Sequence, residues 1–374
     1  MTTRRPPFRA PLALLLAAAA ACGGSSLSQP PCPAGQSCAS DVYVACFATD
    51  EVKGRTRDLQ PSGIDRIVGD GPVALALSGS TLWVAASLAP EVDAIAAGGV
   101  PATAVISGSD LEHVKVHQGR VYVSNSGVHT VTVLDAATRQ VVDEVSVVDT
   151  PGQISNPRGL DFVGSRAYVA LPGTSGSSAA FAPGQQEVAV LDFSGPGTVA
   201  KRISMDVAGA FDPPGLPFPF SVLAAGTKVY VALANLKLSG NFYVAPAGSG
   251  RLAVIDTAAG DAVSIVDLGA GCQNPAGLAL EGSTLWVACG GSGAVLPVAI
   301  GGLAPTVGVA IPTPAGVVPG NVAVCRGIGY VTDQFSGAVV RFDTQAKTML
   351  GSTTVCPVDP VAQFAFAADV TCVP

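Results

Sequence analysis

The sequence predicts an all-β chain built from a repeated four-stranded unit, and three observations predict it. Short apolar runs are broken at close intervals by 44 Gly and 29 Pro in 374 residues, the punctuation expected where many strands each need a turn. Charged residues make up only 13%, about half the share of an ordinary soluble domain, which suits short buried strands and excludes a disordered polymer or a coiled coil. Seven of the Tyr and Trp residues (Tyr43, Trp83, Tyr122, Tyr168, Tyr230, Trp286 and Tyr330) stand directly before Val. They recur every 40 to 60 residues or so, and self-similarity near that period with strand content indicates a β-propeller.

The first element is not part of that repeat. Arg4, Arg5 and Arg9 precede an apolar run from Ala10 that ends in small residues before Cys22, a secretory signal too short to span a membrane. Ala19-Ala20-Ala21-Cys22 resembles a bacterial lipobox, which implies cleavage after residue 21 and a lipid on Cys22. Residues 1–21 are thus expected to be a signal peptide, 22–38 a lipidated Cys and flexible leash rich in Gly, Ser and Pro, and 39–374 a single propeller. Cleavage removes three Arg and no acid, so a net charge of −7 becomes −10. An acidic body argues against nucleic acid as a partner. Gly23, rather than Asp, follows Cys22, which favours the outer over the inner membrane.

The repeat itself is clearest at its third occurrence. Leu111–His117, Arg120–Asn125 and Thr130–Asp135 read as strands separated by Gly, Ser and Asp turns, and a fourth begins at Val141. Tyr122-Val123-Ser124-Asn125 resembles the YVTN family of propeller repeats, and Val133-Leu134-Asp135, Val190-Leu191-Asp192, Val254-Ile255-Asp256 and Arg341-Phe342-Asp343 match its third strand. The resemblance, over about residues 40 to 370, implies a seven-bladed β-propeller of four-stranded antiparallel blades in a functionally diverse family. Tyr43 lies on a second strand with only the leash before it, so the missing first strand of blade 1 is expected from the C-terminus, at Gln363 to Ala368. That closes the ring and removes exposed edges.

Eight Cys remain after Cys22, an even number that favours four disulfides in an exported chain. Cys272 with Cys289, and Cys356 with Cys46, fall at first-strand starts and second-strand ends, which lie side by side in an antiparallel hairpin. Cys38 with Cys372, and Cys32 with Cys325, follow by remainder.

Function is expected on one rim. The loops between second and third strands are enlarged in blades 4 and 5, and the connection into blade 5 is long and Pro-rich. All three emerge on one face and carry Phe181, Phe211, Phe218, Phe242 and Tyr243, aromatic contact area that loses little rotamer entropy on binding. A monomeric, membrane-tethered binding or assembly lipoprotein that recognises a protein, peptide or glycan is the expectation. Two alternatives stay open. One is a scaffold subunit of an envelope assembly. The other is a metal-dependent hydrolase or lyase, since propeller lactonases bind calcium on the axis through Asn and carboxylates and the corresponding residues here are Asn156, Asp161, Asn274 and Asn321. No cofactor is otherwise expected, with Ca or Mg tied to that alternative, and no catalytic residue is assigned because no nucleophile-elbow, zincin or P-loop motif is present. His113, His117 and His129 all fall in blade 3. The first two sit about 13 Å apart along one strand, too far to share an ion.

Overall fold

The computed structural model describes residues 40–374 apart from 97–98, 151–152, 176–181, 212, 240–241 and 361–362. The signal, Cys22, the leash, Cys32 and Cys38 lie outside the described residues. Seven four-stranded antiparallel sheets form a ring, and the described residues hold only two short 3-10 helices. From blade 2 onward the innermost strands are Pro72–Ser78, Leu111–His117, Leu160–Val163, Pro219–Ala225, Pro275–Glu281 and Pro319–Cys325.

The recurring aromatic has a physical job at each blade interface. Trp83 packs against Leu111, Val121 and Val123 of blade 3, and Tyr122 against Leu160 and Val169 of blade 4. Tyr168, Tyr230, Trp286 and Tyr330 each repeat the arrangement on the following blade, with Tyr330 reaching Val42 and Val44 of blade 1. Tyr43 packs against Val84 of blade 2 and completes the circuit. Six of the seven are buried almost completely, each worth roughly 1.5 to 3 kcal/mol over leaving it in water. Val and Ala follow because strands between two packed blades bury both faces.

Near the axis the inner strands approach one another until only glycine fits. A Cβ on Gly159 would lie 2.8 Å from backbone atoms of Phe220, Ser221 and Val222, and one on Gly277 would lie 2.8 Å from Gly320, Asn321 and Val322. The preceding Asn156 and Asn274 adopt left-handed backbone conformations (φ 48° and 49°), which Asn tolerates better than most residues. The repeated Asn-Pro-x-Gly-Leu is therefore a device for entering an inner strand and packing it closely. In blade 6, Pro297 in the third strand removes a ladder donor, and the outer strand is split into Thr306–Val307 and Ile311–Pro312.

Blade 1 closes with a C-terminal strand, in the order Pro61–Ile67, Glu51–Arg55, Val42–Cys46, Ala367–Cys372. This strand begins later than Gln363. Phe364 and Phe366 instead turn against Phe47, with ring centroids 6.4 and 5.6 Å from it, and Phe366 O accepts from Phe47 N. Aromatic rings capping the end of the blade thus displace the strand toward the C-terminus.

The shift also corrects the cystine pattern. Cys46–Cys356 and Cys272–Cys289 are bonded. Cys372, however, ends the closing strand beside Cys325 at the end of the innermost strand of blade 7, and these two are joined with Cα atoms 6.1 Å apart. That bond excludes Cys38 with Cys372 and Cys32 with Cys325, pairings reached only by elimination, because the closing strand runs to Cys372 and sets it beside Cys325. Disulfides belong to an oxidising, extracytoplasmic setting, and among the described residues no helix is long and apolar enough to cross a membrane.

Candidate functional site

In an antiparallel blade, the loops between second and third strands share a face with the connections between blades. On that face the excursion of blade 4 forms a small hairpin, Thr174–Ser175 with Ala182–Pro183. The two excursions of blade 5 pair with each other. Gly215–Leu216, from the connection into the blade, joins Leu236–Ser239 and Phe242–Pro246 in a three-stranded sheet. This pairing has no signal in the blade period, because neither segment belongs to the repeat.

The expected rim aromatics divide. Phe181 lies outside the described residues, and Phe242 and Tyr243 are placed by backbone alone. Phe211 is partly buried against the core between blades 4 and 5. Phe218 has φ 48° and donates its N–H to Gln186 Oε1 at 2.7 Å, while its ring stacks 6.3 Å from Phe220. Phe220 in turn lies under the Arg158 guanidinium, 5.1 Å from ring centroid to Cζ, and Arg158 Nη1 donates to Glu112 at 2.7 Å. Gln186, Arg158 and Glu112 were not legible as a set. They come from blades 3 and 4, from segments far apart in the chain that are linked only where inner strands converge.

That chain of contacts leads from the rim to the axis, where a channel of about 840 Å³ runs between the inner strands. Strand register sorts the inner strands around it into levels. Opposite the seven recurring aromatics stand Ala76, Lys115, Asp161, Leu223, Ala279, Ala323 and Thr371. Only Lys115 and Asp161 are charged, and they pair at 2.8 Å. Two residues nearer the loop-bearing face, His113 stands opposite Ser124 and Asp369 opposite Ala45. Glu112 and Arg158 sit above them at the strand entrances.

The Asn and Asp residues expected around a metal do not form a cradle. Asp161 Oδ1 accepts from Lys115 and from its own strand at Phe162 N, and its Oδ2 accepts from Ala224 N of blade 5 at 2.9 Å. A lysine ammonium thus already supplies its cation. Asn321 Nδ2 donates to Ala368 O, and Asn156 Oδ1 accepts from Ser126; Asn156 and Asn274 are not among the channel-lining residues. Among the described residues no three His, Cys, Asp or Glu side chains gather as a metal site. His117 stacks on Phe162 and donates from Nε2 to Gly164 O at 2.8 Å, at the far end of its strand from His113.

Burial dominates the channel electrostatics. It raises the Glu112 carboxyl, a rise that Arg158 opposes. It lowers His113 to about 4, helped by the charge of Lys115. It pushes Asp369 up to about 7 despite hydrogen bonds from Leu75 N and Val370 N, both 2.8 Å.

Several solved structures share this architecture. A Lactobacillus plantarum protein matches with TM-score 0.65 at 16% identity, over 89% of this chain and 99% of its own. Kuenenia stuttgartiensis hydrazine synthase matches with TM-score 0.63 at 16% identity, over 82% of this chain and 94% of that one. Virginiamycin B lyase from Staphylococcus aureus matches with TM-score 0.58 at 12% identity, over 80% and 93%. The common element is the β-propeller. Neither a family model nor a curated protein matches the sequence.

The two shifted groups set opposing pH dependences. Between about pH 4 and 7 the folded chain keeps a proton on Asp369 that the unfolded chain, with a carboxyl near 3.8, releases. This contribution is full below that window and is lost as pH rises through 7. From pH 6.5 down to about 4 the unfolded chain protonates His113 and the folded chain does not, so stability is lost as pH falls. Asp369→Asn removes only the first slope. Melting temperatures should show the variant gaining on the parent as pH rises from 5 to 8, and a constant offset across that range would contradict the assignment.

Proposed function

We propose that this chain is a lipid-tethered, extracytoplasmic binding module whose recognition surface is the loop-bearing face of blades 4 and 5. The observation that carries the reading is the three-stranded sheet formed by both excursions of blade 5. Such pairing stiffens long loops before any partner arrives, and stiff loops lose less entropy on binding. Phe218, pinned by Gln186, and Phe220 continue that surface to the mouth of the channel. Its partner is a protein, peptide or glycan.

The route of the chain supports this arrangement. Asp41 enters blade 1 on the opposite face, where its N–H donates to Arg55 O and its carbonyl accepts from Val373 N. A leash leading to a lipid on Cys22 would leave from that side, so the rim would face away from the anchoring membrane.

Two experiments test the reading. A photoreactive residue in place of exposed Lys237 on the rim should give discrete adducts in cells, and one in place of Arg166, on the opposite face, should give none. Equal labelling from both positions would contradict a rim-specific partner. For the tether, Cys22→Ser should release most of the protein from membranes in fractionation, and full retention would refute lipid attachment.

A further inference from the structure

The channel holds charged groups that take no part in the rim. Its lining side chains include three carboxyls, Glu112, Asp161 and Asp369, and two permanent cations, Lys115 and Arg158. Glu112 is paired with Arg158 and Asp161 with Lys115, each within 2.8 Å. Asp369 has no basic partner among the described residues. The lining on its side of the channel holds Leu75 and Ala74 of blade 2, Val322 and Ala323 of blade 7 and Val370, together with the uncharged polar Asn321, Gln334 and Thr371. Each of its oxygens accepts one backbone N–H, which leaves each a second lone pair.

The cavity is divided lengthwise by chemistry. Blades 3 and 4 present the two closed ion pairs, and blades 6, 7, 1 and 2 present mainly Leu278, Val322, Ala323, Ala368, Leu75 and Leu77, with the uncharged Asn321, Gln334 and Thr371, around one carboxyl that has no ion-pair partner among the described residues. A half-buried carboxyl without a counter-charge is costly, and the compensation missing here is one positive charge on an apolar body. A metal ion is a poor match, because a single carboxylate already holding two N–H donors offers too few oxygens. An anion is also disfavoured, since both cations are engaged and the surplus charge is negative.

We propose that the channel is a binding site for a small organic ammonium, with its charged nitrogen on Asp369 and its hydrocarbon part along the apolar wall of blades 7, 1 and 2. This site is separate from the rim, and it stands or falls independently of the macromolecular partner proposed there. Binding such a ligand would supply the counter-charge that Asp369 lacks and would favour its ionised form.

The probe is n-hexylammonium, with hexanoate and 1-hexanol as charge controls, titrated calorimetrically into the oxidised protein at pH 7.5. Saturable binding of hexylammonium is expected, with hexanoate and hexanol at least about tenfold weaker, the factor a charge-assisted hydrogen bond supplies. Asp369→Asn should lower hexylammonium affinity by about tenfold or more. Should that variant fold poorly, the parent alone decides: hexylammonium should raise its melting temperature in a saturable way and hexanoate should not. Comparable binding of all three probes, unchanged affinity in Asp369→Asn, or no saturable binding of hexylammonium would overturn the proposal.

Discussion

Everything in this molecule depends on ring closure, because no blade buries its faces alone. Each recurring aromatic is seated on the blade that follows it, so an open ring would leave Tyr330 and one face of blade 1 in water. The closing strand Ala367–Cys372 supplies the missing ladder on Val42–Cys46. Two disulfides hold the same seam: Cys46–Cys356 fixes the segment that leads into that strand, and Cys325–Cys372 fixes its far end to blade 7. A disulfide of this kind is typically worth about 2 to 4 kcal/mol. Arg341 adds an ion pair with Asp58 across the seam, and Tyr330 Oη donates to Arg57 O at 3.0 Å.

Closure also makes the channel. Seven inner strands meeting around an axis bring together groups that are remote in the chain, and Gly159 and Gly277 let neighbouring strands touch through their backbones. At that distance side chains reach between blades. Asp161 accepts from Ala224 N and Asp369 from Leu75 N, two links of the same kind on different sides of the ring. Asp161 has Lys115 as counter-ion, and Asp369 has none among the described residues. The fold therefore produces a tight bearing at one position and an unfilled charge requirement at the other.

The fold was largely legible because its signal is periodic. Tyr or Trp before Val marks every second strand, and the interface each one fills explains why the pattern recurs. Two cystines were legible for the same reason, since hairpin geometry places Cys272 beside Cys289 and Cys46 beside Cys356. Cys325–Cys372 was not, because it depends on where the last strand starts, and that start is set by Phe364 and Phe366 packing on Phe47 rather than by strand alternation. Asn156 and Asn274 resembled axial ligands in sequence, yet their left-handed turns and the glycines after them serve strand entry. Asp369 carried no sequence signal at all. Its importance comes from having no counter-charge among the described residues in three dimensions.

Native-state hydrogen exchange on the oxidised protein tests closure most directly. If the C-terminal strand is an integral part of the ring, the amides of Ala367–Cys372 should exchange with the same opening free energy as those of Arg120–Asn125 in blade 3, at the level of global unfolding. Exchange of the closing strand through an opening several kcal/mol lower, with blade 3 still protected, would contradict it.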